Sequence, residues 1–470
     1  MKINPARLFL SVALMVLLMG MIFGILGGIQ YLVPNFIKEA LPFNIVRPLH
    51  VTSVISWIIL AATGGIYYYL SESITPNRTW FSWFHFAIFI LAGILILYSY
   101  ATSNFGGKEY LEFPPALILP VLAGWAIFGI YYFGMAVKIK NWPVYNYMWA
   151  TGIALMIYHL VEAYLWMHPS VGGNFIKSLT VQWKAGGSFV GAWNMLVYGT
   201  AIYLMTKIGP NDTGRTKTAF FFYFLGLTNL MFGWAHHIYI VPSVPYIRAF
   251  SYGISMTEWI ILFHMIYQWR NSLPAGQKPA EMSSTILATT DLWIFLNLIL
   301  ALLFSIPAIN YFTHGTHITV AHSMGTTIGI NTTILLASLV YIARKLNPNL
   351  QLNQIRLGFR IFNLSLVFFW LCLLGAGAKK SFWMYAQQGV AFQVMQHGQY
   401  YFYLGFLLFG IGIFAGLLMM ALPLLKGFLG FTATTAEPLD AASPVYLRTT
   451  RFTYRLRPFL GRLFQSEKVE

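Results

Sequence analysis

Long runs without a formal charge decide what this chain can fold into. The stretch from Leu8 to Tyr31 holds none of Asp, Glu, Lys or Arg, and similar runs recur to residue 425. A helix needs about 20 apolar residues to cross the hydrocarbon of a bilayer. In hydrocarbon the backbone must satisfy its own hydrogen bonds, which leaves helices and closed barrels. These runs are continuous rather than alternating, so the fold class is all-α, a polytopic membrane protein. The composition agrees: 58% of the residues are hydrophobic and 9% are charged. The first run follows Lys2 and Arg7, is long for a signal peptide and lacks a small-residue cleavage site. It reads as a retained helix.

Twelve spans are expected, at 8–31, 48–70, 80–101, 115–137, 144–166, 182–206, 218–240, 247–268, 290–311, 318–343, 357–378 and 400–425. They form one transmembrane domain, residues 1–425. Residues 426–470 are a basic tail in which Arg448, Arg451, Arg455, Arg457, Arg462 and Lys468 alternate with apolar residues. With the N-terminus inside, 21 Lys and Arg fall on the inner side and seven on the outer, Lys184 being left within a span. Basic residues favour the cytoplasmic face. Both termini are therefore expected to be cytoplasmic, in the inner membrane, with the tail an anchor against anionic headgroups. Topology accounts for the basic charge, so no nucleic-acid partner is expected; the partner is the bilayer. The one cysteine, Cys372, excludes a disulfide framework and a cysteine metal site.

The stretch HITVAHSMG, residues 317–325, brings histidine into an apolar run. A lone histidine there is usually a satisfied core residue. Here several share one depth. His50 opens span 2, His322 opens span 10, and His236 and His237 close span 7. At about 1.5 Å per residue all lie within roughly 10 Å of the outer interface. His322 and Met324 are two residues apart, hence about 200° apart on a regular helix. They cannot share one metal, but they can serve two haems on opposite faces, with His50 the partner of Met324. A His/Met pair raises a haem's reduction potential.

The segments PFNIVRPLH (42–50), GKEYLEFP (107–114), GWAHHIYI (233–240) and THGTHITVAHSMG (313–325) resemble the large subunit of cytochrome c-dependent nitric oxide reductases, in the haem-copper oxidase superfamily. Twelve spans is that family's number. The resemblance implies two b-type haems, with His50 an axial ligand of the low-spin haem and His322 the ligand of the high-spin haem. It makes His236 and His237 two of three histidines on a non-haem iron, or a copper in its place. It makes Glu109 a ligand of a calcium ion that bridges the haem propionates, and Glu258 a buried carboxylate at the catalytic site. An outer c-type cytochrome is the implied electron donor. No c-type haem motif stands in this sequence, so that partner is expected as a separate subunit.

The sequence departs from the family in two places. Met324 stands where the family has the second low-spin histidine. In span 6, KAGGSFVGAWNML (184–196), the resemblance calls for a third iron histidine and two glutamates at i, i+4 and i+8. This chain has Gly186, Val190 and Asn194 there. Two imidazoles alone hold iron or copper weakly. Lys184 is read as a lysine snorkelling to the interface, its other use being to offset a propionate or to pair with Glu162 or Glu258. Such intramembrane carboxylates are costly and usually functional. His85, His159, His168, His264, His314, His317 and His397 are assigned no ligand role, although His314 and His317 are placed to line a haem edge.

Two readings follow. In the first the chain is an oxidoreductase that reduces a diatomic gas, nitric oxide to nitrous oxide ahead of oxygen to water. In the second it is a haem subunit without catalysis, for electron transfer or for sensing nitric oxide or oxygen, which suits the altered span 6. A twelve-span transporter fits the span count but leaves the histidine layer unexplained.

Overall fold

The computed structural model describes residues 4–74, 79–209, 212–242, 244–272, 281–387 and 389–430. It is almost wholly helical. The one β feature among the described residues is an isolated bridge between Lys108 and Leu111.

The long helices follow the apolar runs. They are α1 (Pro5–Leu32), α2 (Phe43–Ser73), α3 (Trp80–Ala101), α4 (Ile118–Ala136), α5 (Val144–Glu162), α6 (Phe175–Ile208), α7 (Lys217–Phe232), α8 (Pro245–Ser272) and α9 (Met282–Ser305). Then come α10 (His317–Leu346), α11 (Leu352–Ala386) and α12 (Tyr400–Leu429). Local chemistry starts several of them. The side chains of Asn4, Asn174 and Thr316 accept hydrogen bonds from the backbone N–H groups of Arg7, Lys177 and Ile318, which satisfies donors a helix start leaves free. Gly430, with φ +81°, ends α12 in the left-handed conformation that glycine adopts at no steric cost. Of the tail expected at 426–470, the first residues continue α12 to Leu429 and its Gly430 cap, and residues 431–470 lie outside the described residues.

Ten helices among the described residues are long and apolar enough to cross a membrane. That is two fewer than the twelve expected. Helices do form at the remaining two positions, as α6 and α8. α6 carries Lys177, Gln182, Lys184, Asn194 and Lys207 in its 34 residues, so it has the length of a span without the apolarity.

Burial sets the layers. In α10, 89% of the most apolar window is buried, against 22% in α3. α10 is therefore central and α3 peripheral. Peripheral helices turn large apolar side chains outward, among them Tyr98, Leu119, Val137 and Leu364, as a lipid-facing surface requires. Glycines set the closest helix contacts. A Cβ on Gly416 of α12 would lie 2.6 Å from the carbonyl oxygen of Gly358 on α11, the small-residue contact that lets membrane helices approach.

α10 is composite. His317–Met324 is α-helical, Gly325–Thr332 is a π-helix, and Thr333–Leu346 is α-helical again. The wide segment lies tight against α9. A Cβ on Gly325 would collide with Asn297 Oδ1, and one on Gly329 would meet the Trp293 ring at 2.6 Å. π-Turns are frequent at functional sites, and this one begins directly after Met324.

Candidate haem and gas site

His50 stands near the start of α2. The carbonyl oxygen of Gly20 on α1 lies 2.7 Å from its Nδ1. A carbonyl can only accept, so Nδ1 carries the proton and Nε2 is left as the lone-pair nitrogen. A ligating histidine is commonly oriented in this way by its other ring nitrogen. The ring is also held sterically: a Cβ on Gly24 would lie 2.8 Å from His50 Cε1.

His322 and Met324 both fall in the α-helical part of α10. His322 packs edge-on against Phe304, with ring centroids 5.6 Å apart, and its Nδ1 is buried without a hydrogen-bond partner. Met324 is half-buried against the main apolar core.

His236 and His237 sit on a 3-10 turn, Gly233–Ile238, that extends α7. Their ring centroids are 4.2 Å apart, and His237 stacks with Trp183 of α6. His236 Nδ1 is buried and unpartnered. The turn is tied to the segment leading into α10: Asn310 Nδ2 donates to the His236 carbonyl oxygen at 3.4 Å, and the Tyr239 hydroxyl donates to the Ser305 carbonyl oxygen at 3.2 Å. His314 lies in the loop before α10. In that loop, burial holds the His314 imidazole below its ordinary pKa.

α6 passes beside this turn. A Cβ on Gly187 would meet His237 Cδ2 at 3.0 Å. Gly186 has nothing within 4 Å of where its Cβ would be. Val190 packs against the core, and the Asn194 side-chain oxygen accepts from Asn331 Nδ2 in the π segment at 2.9 Å.

The donor sets test the cofactors that the sequence implies. His50 with one free ring nitrogen, and His322 with a buried orphan nitrogen, fit b-type haem ligation. A non-haem iron or copper fits less well. Among the described residues no three or more His, Cys, Asp or Glu gather to hold a metal ion, and two imidazoles are half a tetrahedral set. Calcium at Glu109 meets a competitor: Arg47 donates to Glu109 and, at 3.0 Å, to Glu112. The Arg47 guanidinium supplies positive charge to the Glu109 carboxylate that the resemblance assigns to calcium. On the same loop Tyr110 takes a φ of +68°, and burial, then the Glu109 charge, pushes its phenol up. Glu258 falls on α8, and its side chain lies outside the described residues.

Sequence reasoning missed several residues. Lys184 does not snorkel. Its Nζ donates to Glu162 and lies 5.7 Å above the Tyr158 ring. Glu162 also accepts from His159 Nδ1 at 2.9 Å, a residue to which the sequence assigns no role. The i,i+3 spacing of His159 and Glu162 was a readable signal. Arg47 and Glu112 were missed outright. His85, by contrast, is a packed histidine, fully buried between Phe89 and Phe128 with Nδ1 3.0 Å from the Tyr67 hydroxyl.

Ten helices long and apolar enough to cross a membrane, packed around a central α10, define a class: a multi-pass helical membrane protein. Comparison with known proteins gives the family. Residues 4–400 match cytochrome c and quinol oxidase polypeptide I, and the chain belongs to that family. It is 22% identical over 400 residues to a polypeptide of the nitric oxide reductase of Stutzerimonas stutzeri, covering 79% of this chain and 83% of that one. Its fold is similar to a haem-copper terminal oxidase dimer solved by cryo-EM, with a TM-score of 0.72 at 14% identity over 96% of this chain and 90% of that one. The fold is therefore that of haem-copper oxidase subunit I.

Proposed function

We propose that the chain is the haem-bearing subunit of a respiratory complex in the inner membrane, with both termini cytoplasmic. It takes electrons from a c-type cytochrome on the outer side and reduces a diatomic gas, nitric oxide to nitrous oxide. His50 and Met324 would hold a low-spin haem b, and His322 a high-spin haem b. When bound, the two haems supply one-electron transfer and an open iron position for the gas. The chain's own residues do the positioning. Gly20 fixes the tautomer of His50, Phe304 braces the His322 ring, and Trp183 of α6 stacks on His237. The observation that carries this reading is that Asn310 donates to the carbonyl oxygens of both His236 and Phe304, and Phe304 packs on His322. Similarity to a nitric oxide reductase polypeptide over most of the chain supports nitric oxide as the gas.

The test is His322→Ala. Pyridine haemochrome should show one haem lost of two, and a nitric oxide electrode should show consumption abolished. Unchanged haem content would sink the assignment.

A second reading, electron transfer or gas sensing without turnover, is favoured by the open space at Gly186 and by the absence of a three-donor metal cluster among the described residues. Elemental analysis separates the two. An iron or copper beyond the haem iron favours turnover at a surviving second metal. Two haems and no further metal, with no gas consumed, favour the second reading.

A further inference from the structure

His159, Glu162 and Lys184 are ionisable groups inside the bundle that haem ligation does not use. His159 and Glu162 share one face of α5 and are 1% and 8% exposed. His159 Nδ1 donates to one carboxylate oxygen at 2.9 Å, and Lys184 Nζ of α6 donates to the other. Both oxygens of the carboxylate are thereby engaged. The imidazole is not, since its Nε2 is buried and has no partner. With the proton on Nδ1, Nε2 carries the lone pair and is the atom that can take a further proton.

His159 lines a cavity of about 30 Å³ whose wall also includes Lys108, Glu109, Gln182, Ala185 and Gly186. A water needs roughly 10–15 Å³ and polar partners, so the cavity has the volume for a water, with the His159 imidazole and the Gln182 side chain among its lining groups. One end of the wall is the loop at Lys108 and Glu109. At the other end Gly186 is followed by Gly187, which packs on His237. The cavity thus lies between the loop, α5 and α6, and the α6 residue after Gly186 packs on His237. Intramembrane ionisable groups are expensive, which makes function the default reading of such a trio.

We propose that His159, held by Glu162 and Lys184, is a proton-transfer site that carries protons from the outer loop to the gas-reducing site, in place of the carboxylates absent at Val190 and Asn194. It rests on the gas-reducing reading above. In the step, Nε2 binds a proton from a cavity water on the loop side. Glu162 offsets the imidazolium charge through the Nδ1–H. The same Nε2 then releases a proton to water on the Gly186 side. One proton is bound and one released, and no electron moves. Lys184 is ion-paired with Glu162, so in this step the carboxylate acts as counterion rather than carrier. The other charged or titratable groups here are Lys108, Glu109 and Tyr110 on the loop and Tyr158 on α5. Among the described residues α4 and α7 add none to the cavity wall.

The experiment uses His159→Gln and Glu162→Gln in the purified full chain with its haems. An infrared pH titration reads the imidazole directly, and nitric oxide consumption is followed across pH. In the wild type an imidazole band should titrate, and His159→Gln should abolish it. The same variant should slow consumption roughly hundredfold, as for loss of a proton-transfer group, with haem content unchanged. Glu162→Gln should move the midpoint of that band down by removing the counterion. A band that survives His159→Gln, a midpoint unmoved by Glu162→Gln, or a wild-type pH profile in His159→Gln would each overturn the proposal. A wild-type chain that holds both haems, shows the titrating band and consumes no gas would overturn the gas-reducing reading instead, because the infrared signal needs no turnover.

Discussion

The Nδ1–H of His50 on α2 is donated to the carbonyl oxygen of Gly20 on α1, 2.7 Å away. One helix thereby sets the tautomer and ring plane of a side chain on another, and Gly24, a turn further along α1, leaves the ring just enough room. A methyl at position 24 would sit 2.8 Å from His50 Cε1 and 2.9 Å from Nδ1. Gly24→Ala should turn the imidazole and break the bond to Gly20. Reduced-minus-oxidised spectra should show low-spin haem b lost or shifted while high-spin haem stays. An unchanged low-spin spectrum would separate His50 from haem binding.

Met324 supports a second prediction. A thioether on a helix is often mere packing, and Met324 does touch the apolar core. If it also ligates, Met324→His should give a bis-histidine haem of lower potential, since His/Met ligation raises it. A potentiometric titration of the low-spin band decides. A potential that does not move would leave Met324 as a core residue.

The contact between α11 and α12 gives a stability prediction. Gly358 and Gly416 approach so closely that a Cβ on either would lie 2.6 to 2.7 Å from the other's carbonyl oxygen. Neither backbone can yield as a flexible side chain would. Gly416→Ala should therefore destabilise the bundle by about 1–3 kcal/mol, the usual cost of overpacking. A thermal melt in detergent should shift down, with haem content unchanged before unfolding. An equal melting temperature would mean that the two helices separate at little cost.

Much of this was legible in the sequence, for a physical reason. Lipid forces each span to be a long apolar helix, so the helices fall where the charges vanish, and helix rise turns residue number into depth. His322, His236 and His237 stand out in the sequence because their residue numbers place them at one depth. Depth says nothing of rotation about the helix axis, and pairing across helices depends on rotation. That is why Lys184 reads as a snorkelling residue in the sequence although it faces Glu162, and why Arg47 gives no sign there of reaching Glu109 and Glu112. The π segment Gly325–Thr332 was invisible because apolar periodicity is blind to one extra residue in a turn. Its glycines were visible, but only the packing against Asn297 and Trp293 gives them meaning.

Position 186 allows a test by gain rather than loss. The resemblance puts a metal-binding histidine there, and the structure shows nothing within 4 Å of the Cβ that Gly186 lacks. A new imidazole therefore has room, and its neighbour Gly187 already touches His237. Gly186→His should supply a third nitrogen beside His236 and His237, enough to hold iron or copper with water completing the set. Elemental analysis of the variant should find one metal beyond the haem iron per chain. Removing His236 as well, by His236→Ala, should lose it again, which separates the intended site from chance binding. If Gly186→His folds, keeps its haems and binds no additional metal, then α6 presents a different face to the paired histidines than the family register requires. The loss of the third ligand would then not explain any loss of the metal.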